Sequence, residues 1–257
     1  MSTTQTRRHF LARVGSVVTA FAVPQVWIRH AAAEYVSQPW ETHPLRCIGK
    51  VFVNLGQKNG CSGTGALVGP RVVLTSAHLL YDRKPEERGA YPPSVSFTPS
   101  YNKIRKMRSF PISRFFLCPG WKEEVDKGDA QDYNKSVSCD LAVLVLNAAP
   151  RTGHMGLCSD ENSIPSVVQH AGYPGISNGV LFQHELDVSV NGNILFARGL
   201  KHELYAGMSG SPLYFFSNGD HYICGVHANS NNEQSSHPRI TSDLVKFVKK
   251  LDEQYPS

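Results

Sequence analysis

The sequence predicts an all-β fold, a barrel or sandwich of short strands closed by one C-terminal helix. Short apolar or alternating runs recur between residues 48 and 241, bounded by Gly, Pro, Asn or Asp, which is the pattern of half-buried strands joined by turns. Charged residues make up only 18% of the chain, and Gly (21) and Pro (16) are scattered along it. That composition suits a loop-rich β protein better than a helical or disordered one. The third observation is a helical spacing confined to the C terminus.

Residues 1–33 stand apart. They carry Arg7, Arg8, Arg13 and Arg29 and no Asp or Glu. The run Thr6-Arg7-Arg8-His9-Phe10-Leu11 is a twin-arginine motif, followed by a mostly apolar stretch over 14–28 and by Ala31-Ala32-Ala33. Small residues at −3 and −1 suit signal peptidase, so the segment is expected to be an export signal of the bacterial Tat kind, cut before Glu34. A membrane anchor is the alternative, but Pro24 and Gln25 interrupt the apolar run, which is short for a span. The expected location is secreted or periplasmic. The remainder is expected to have no stable membrane association, because no other stretch approaches ~18 apolar residues.

The leader also accounts for most of the formal charge of +5: beyond it stand 22 Lys and Arg against 21 Asp and Glu. No basic block with interleaved aromatics remains, so a nucleic-acid partner is not expected. All six cysteines (Cys47, Cys61, Cys118, Cys139, Cys158 and Cys224) follow the leader. An even number in an exported chain predicts disulfides. No CxxC spacing occurs, so no zinc or thioredoxin-type site is expected, and no cofactor is called for.

Residues 34–44 read as a pro-segment or N-terminal arm, and 45–257 as the folded unit. Strands are expected at 48–54, 65–68, 72–75, 95–98, 141–146, 167–171, 180–190, 194–197, 212–216 and 222–227. Leu244, Phe247, Val248 and Leu251 follow i, i+3, i+4, i+7 spacing, with Thr241 or Ser242 as N-cap and Lys246, Lys249 and Lys250 on a solvated face. Residues 122–138 are polar and aperiodic and read as a surface loop or an insertion.

Three segments carry chemistry. In the first, two apolar strands flank a Gly-Pro turn and run into Thr75-Ser76-Ala77-His78. Small residues there let an imidazole sit fixed at a strand end with access to substrate, as a general base requires. In the second, Ser138-Cys139-Asp140 precedes the apolar run Leu-Ala-Val-Leu-Val-Leu. A carboxylate so placed is shielded and can orient an imidazole. The third is Ala206-Gly207-Met208-Ser209-Gly210-Ser211-Pro212. Gly207 lets the backbone bend so that the N–H groups of Gly207 and Ser209 converge into an oxyanion hole beside the Ser209 hydroxyl.

TSAH, CDLAVLVL and GMSGSP in the order His, Asp, Ser, with spacings of 62 and 69 residues, resemble the chymotrypsin-like serine peptidases, and most nearly the V8-like glutamyl endopeptidases. The residues Ala171-Gly172-Tyr173-Pro174-Gly175 and Gly225-Val226-His227 extend the resemblance across roughly 45–250. It implies two six-stranded antiparallel β-barrels (about 45–150 and 160–241), with the helix at about 242–254 outside them. It also implies a secreted, monomeric serine endopeptidase acting on protein or peptide substrates, with His78, Asp140 and Ser209 as the triad.

The chain departs from relatives at two places. Met208 stands where trypsin-type enzymes have the aspartate that receives a freed N-terminus, so that activation is not expected. Leu79 stands where many relatives have a cysteine. Cys61 therefore needs another partner, with Cys47 reachable across paired strands, and Cys118 and Cys139 could close the polar loop. Substrate choice divides. His227 matches the subgroup histidine that favours an acidic P1 side chain. Glu203, with Leu204 six and five residues before Ser209 in the pocket-base region, would instead attract Lys or Arg. A non-catalytic binding protein on the same fold is the remaining alternative.

Overall fold

The computed structural model describes residues 34–36, 38–56, 59–81, 91–105, 107–128, 132–198, 206–230 and 234–256. The leader, Glu203 and Leu204 lie outside the described residues. The first half contains β1 (Glu34–Val36), β2 (Ile48–Gly56), β3 (Asn59–Leu67), β4 (Val72–Thr75), β5 (Ser94–Pro99), β6 (Phe110–Leu117) and β7 (Ala142–Leu146). Strands β2 to β7 close a barrel in the order β2-β3-β4-β7-β6-β5. Its interior is filled by alternate apolar side chains such as Val51, Val53, Phe97 and Leu144.

The second half contains β8 (Gly156–Leu157), β9 (Val167–Gly172), β10 (Leu181–Asn191), β11 (Ile194–Arg198), β12 (Pro212–Ser217), β13 (Asp220–Val226), β14 (Asn229–Ser230) and β15 (Gln234–Pro238). These and β1 form one sheet in which β15-β11-β10-β9-β12-β13 run consecutively. The bridge Gly225↔Arg239 and the bond from Ile240 N–H to the Cys224 carbonyl (2.9 Å) bring β13 back to the end of β15. Six strands therefore ring a second core, with β1, β8 and β14 added at its margins. The two-barrel expectation holds.

Every strand expected from the sequence is present. Five further strands carry no expectation: β1, β8 and β14, which are only two or three residues long, and β6 and β15, for different reasons. β6 carries Pro111, which argues against a ladder position, yet Pro111 pairs with Ser96 and its carbonyl accepts from Asn147 N–H at 3.0 Å. β15 reads Gln-Ser-Ser-His-Pro, with no apolar alternation, but Ser235, Ser236 and His237 are all buried.

The described residues of 122–138 are largely helical rather than loop. Two short helices, α1 (Trp121–Asp126) and α2 (Tyr133–Cys139), occupy the segment. Each is too short to show periodicity. Trp121 and Val125 are buried, and the Asp132 side chain caps α2 by accepting from Lys135 N–H at 3.0 Å. Glu124 ties the two helices through Lys127 and Lys135 (2.8 Å to the latter), and those bonds hold its carboxyl down at about 2. The C-terminal helix α3 (Ser242–Gln254) is as expected: Thr241 accepts from Leu244 N–H at 3.3 Å, Val248 and Leu251 are buried, and the three lysines are exposed.

All six cysteines are thiols. Val53 lies opposite Cys61 and Ile48 opposite Ala66. Cys47, one residue before Ile48, is therefore at the far end of the β2–β3 ladder, and the expected meeting of Cys47 with Cys61 does not occur.

Candidate active site

The site forms where the two barrels meet. Thr75 at the end of β4 pairs with Ala142 at the start of β7, so the residues just after the one and just before the other emerge at the same barrel edge. There Ala77–Leu79 make a single 3-10 turn, with Ala77 and Leu79 buried, that projects His78. Asp140 terminates α2 on the opposite side. Its two oxygens divide their work: Oδ1 accepts the His78 backbone N–H at 2.9 Å and Oδ2 bonds His78 Nδ1 at 2.7 Å. The carboxylate side chain is 6% exposed against 22% for the imidazole. This fixes Nδ1 as the protonated nitrogen and leaves Nε2 with the lone pair.

Ser209 lies on the turn before β12. Gly207 and Gly210 have φ of +90° and +85°, a region where a side chain is strained. A Cβ on Gly210 would also collide with the Thr64 carbonyl and the Thr75 hydroxyl. The turn is held from the first barrel by Thr64. Its N–H donates to the Ser209 carbonyl (2.8 Å), its hydroxyl donates to the Gly207 carbonyl (2.9 Å), and that hydroxyl accepts from Tyr173 N–H (3.0 Å). Nothing in the local sequence around Thr64 marks this role. Among the described residues nothing accepts from the N–H groups of Gly207 or Ser209, and the Ser209 hydroxyl makes no hydrogen bond. His78 and Asp140 are thus in direct contact, and the Ser209 turn is tied to Thr64 on β3, the strand paired with β4. Met208 is fully buried, with its sulfur against Gly172.

His227, 2% exposed, follows β13 immediately behind the turn. Its carbonyl accepts from Gly210 N–H (2.9 Å) and the Ser76 hydroxyl (2.7 Å), and its N–H donates to the Ser211 carbonyl (2.8 Å). Its ring stacks on His170 (5.3 Å, 23°) and lies 5.1 Å from that of His237. His170 in turn meets His184, its cross-strand partner, with Nδ1 and Nε2 at 3.3 Å. Four histidines thus fill one side of the second barrel. Burial is the main cause that lowers all of them: His227 to about 3, helped by the charges of His78 and His184, His184 to about 4, and His170 and His237 well below their usual range. Sequence reading singled out only His227, because nothing in the spacing of the others marks them as neighbours.

The two-helix insertion buttresses the site. Trp121 Nε1 donates to the Tyr81 carbonyl (2.9 Å), the Tyr81 hydroxyl to Asp126 (2.8 Å), and Tyr133 bonds Ser236 of β15 (2.7 Å). The segment after His78, the carboxylate and the second barrel are thereby tied together. The Cys118 and Cys139 thiols are in hydrogen-bonding contact, which lowers Cys139 to about 7 and raises Cys118.

No family model matches the chain. A glutamyl endopeptidase of Bacillus licheniformis is 26% identical over 208 residues, covering 77% of this chain and 60% of its own length. The chain thus spans about 60% of that curated relative. Among solved structures, a Glu endopeptidase in complex with MPD superposes with a TM-score of 0.67 at 21% identity, covering 86% of this chain and 97% of its own. The protease Anisep from Arthrobacter nicotinovorans gives 0.60 at 19% identity, covering 82% and 96%. In sequence the chain is thus similar to a glutamyl endopeptidase, and in architecture it has the chymotrypsin-like two-barrel fold.

Proposed function

We propose that the chain is a serine endopeptidase working through an acyl-enzyme. The carrying observation is Asp140, buried, with one oxygen on the His78 backbone and the other on its ring, beside a turn shaped for Ser209. In this reading His78 Nε2 takes the Ser209 proton as Oγ attacks the scissile carbonyl. The Gly207 and Ser209 N–H groups hold the oxyanion, and Asp140 stabilises the imidazolium. His78 then gives its proton to the leaving amine, and water, activated by the same imidazole, releases the acid. Labelling by a fluorophosphonate probe tests this: wild type should react and Ser209→Ala should not. An unlabelled wild type would refute the assignment and favour a binding protein on the same fold.

The favoured P1 residue is Glu or Asp, with His227 as its recognition group. Protonating an imidazole lowered to about 3 costs about 5 kcal/mol at pH 7, so His227 serves as a neutral N–H donor to the substrate carboxylate. Loss of a hydrogen bond to a charged group costs about 1.5–3 kcal/mol. His227→Ala should therefore lower kcat/KM for Glu at P1 by roughly 10- to 100-fold in a peptide-library assay. A preference for Lys or Arg, abolished by Glu203→Ala, would establish the other pocket assignment.

The same reading has the chain exported by its twin-arginine leader and active as a monomer. No helix among the described residues is long and apolar enough to cross a membrane. In an oxidising compartment, Cys118 pairs with Cys139. Cys158, whose N–H bonds the Ile223 carbonyl at 2.9 Å, pairs with the adjacent Cys224. Alkylation of the exported, denatured protein without reductant should then leave Cys118, Cys139, Cys158 and Cys224 unmodified.

A further inference from the structure

Away from the active site, the hairpin joining β12 to β13 turns at Asn218 and Gly219, both at positive φ (51° and 85°). This turn sets Asp220 and His221 at the start of β13. The His221 ring is packed against Phe216 (5.0 Å) and Tyr214 (6.1 Å). His43, from the segment that leads into the first barrel, meets it edge to face at 5.3 Å. One ligand atom from each of His43, Asp220 and His221 lies within 4.8 Å of the other two.

The surroundings prepare these groups for a metal. His43 Nε2 lies 3.1 Å from the His154 carbonyl. A carbonyl can only accept, so Nε2 carries the proton and Nδ1 the lone pair, which is the tautomer-fixing arrangement that accompanies metal-bound histidines. Asp220 Oδ1 accepts the His221 N–H at 2.7 Å, which aims the carboxylate and leaves Oδ2 unused by that bond.

We propose that His43, Asp220 and His221 bind a divalent transition-metal ion, best matched by zinc, as a clasp between the segment entering the first barrel and the β12–β13 hairpin of the second. Two imidazoles and a carboxylate with a solvent fourth ligand are a zinc donor set. Calcium and magnesium require more oxygen ligands than the cluster offers. The nearby Arg46, whose guanidinium reaches within 4.0 Å of a Cβ placed on Gly153 beside the His43 ring, also opposes an ion held by charge alone. Bonds of about 2.0–2.1 Å require the three atoms to close by roughly 1 Å, a movement these partly exposed side chains can make by rotation. The residues come from positions 43 and 220–221, so no short motif announces the site. At about 3.3 Å per residue along β12, the hairpin lies well away from Ser209. The clasp is structural, and its test is independent of catalysis.

The test uses the full chain with Ser209→Ala to suppress self-digestion. Zinc is titrated calorimetrically and the thermal midpoint is followed with and without it. Cobalt(II) absorption reports coordination geometry. One zinc per chain, a raised midpoint and a tetrahedral cobalt spectrum are expected, with no shift from magnesium or calcium. His43→Ala and, separately, His221→Gln should each weaken zinc at least about tenfold while leaving the metal-free midpoint within a few degrees. Either variant suffices should the other not fold. Absence of zinc binding at millimolar concentration, or binding unchanged in the variants, would overturn the proposal, the latter placing the ion elsewhere.

Discussion

Acidification from pH 7.5 to 5 should destabilise the protein through its second barrel. The folded pKa values of His184 and His227 are about 4 and about 3, against 6.5 ordinarily. Below pH 6.5 the unfolded chain takes up protons that the folded barrel excludes, so stability present above that pH is lost as pH falls toward the folded values. Each group then forfeits about 1.4 kcal/mol per pH unit. At pH 5 that is about 2 kcal/mol each and about 4 for the pair, with His170 and His237 displaced in the same direction. A domain's whole stability is about 5–15 kcal/mol, so the effect is large. Glu124, held at about 2 by its lysines, keeps its contribution above its ordinary 4.5 and loses it only below that, which leaves this window to the histidines. Urea unfolding of Ser209→Ala, followed by tryptophan fluorescence at pH 7.5, 6.5, 5.5 and 5.0, measures the slope. His184→Gln should reduce it by about one proton. Unfolding free energy unchanged between pH 7.5 and 5 would refute the assignment of buried, neutral imidazoles.

Three further outcomes are expected. Asp140→Asn should leave the fold intact and lower kcat by about 10⁴-fold, through the wrong imidazole tautomer, as read in a peptide-hydrolysis assay. Thr64→Val should cost about 1–3 kcal/mol of stability, because the Gly207 carbonyl and Tyr173 N–H lose their partner, and should lower kcat more than it raises KM. Thr241→Ala should cost about 1 kcal/mol by removing the cap of α3, visible as a lower thermal midpoint with unchanged activity.

What was legible in the sequence followed from local pattern. His78 and Asp140 each sit at the end of an apolar strand, and strand pairing alone brings them to one edge, so the motifs were enough. Features assembled from distant, unpatterned positions were not legible. His170, His184 and His237 are polar residues on the inward face of strands, and β15 carries no apolar signal at all. α1 and α2 are shorter than two helical turns and depend on Trp121 and Val125 finding the first barrel. The failure of the Cys47 and Cys61 pairing was a matter of register: adjacency of strands says nothing about which rows of the ladder face each other.

Thr64 gives the two barrels a shared fate. It belongs to the first, yet the shape of the Ser209 turn in the second depends on its three hydrogen bonds. A second barrel expressed alone would retain Ser209 without the contacts that shape its turn. In a chimaera that exchanges the first barrel, the donor must bring a hydroxyl and a free backbone N–H to this point, whatever else of its sequence differs. On the proposed function, activity would therefore report the docking of the halves.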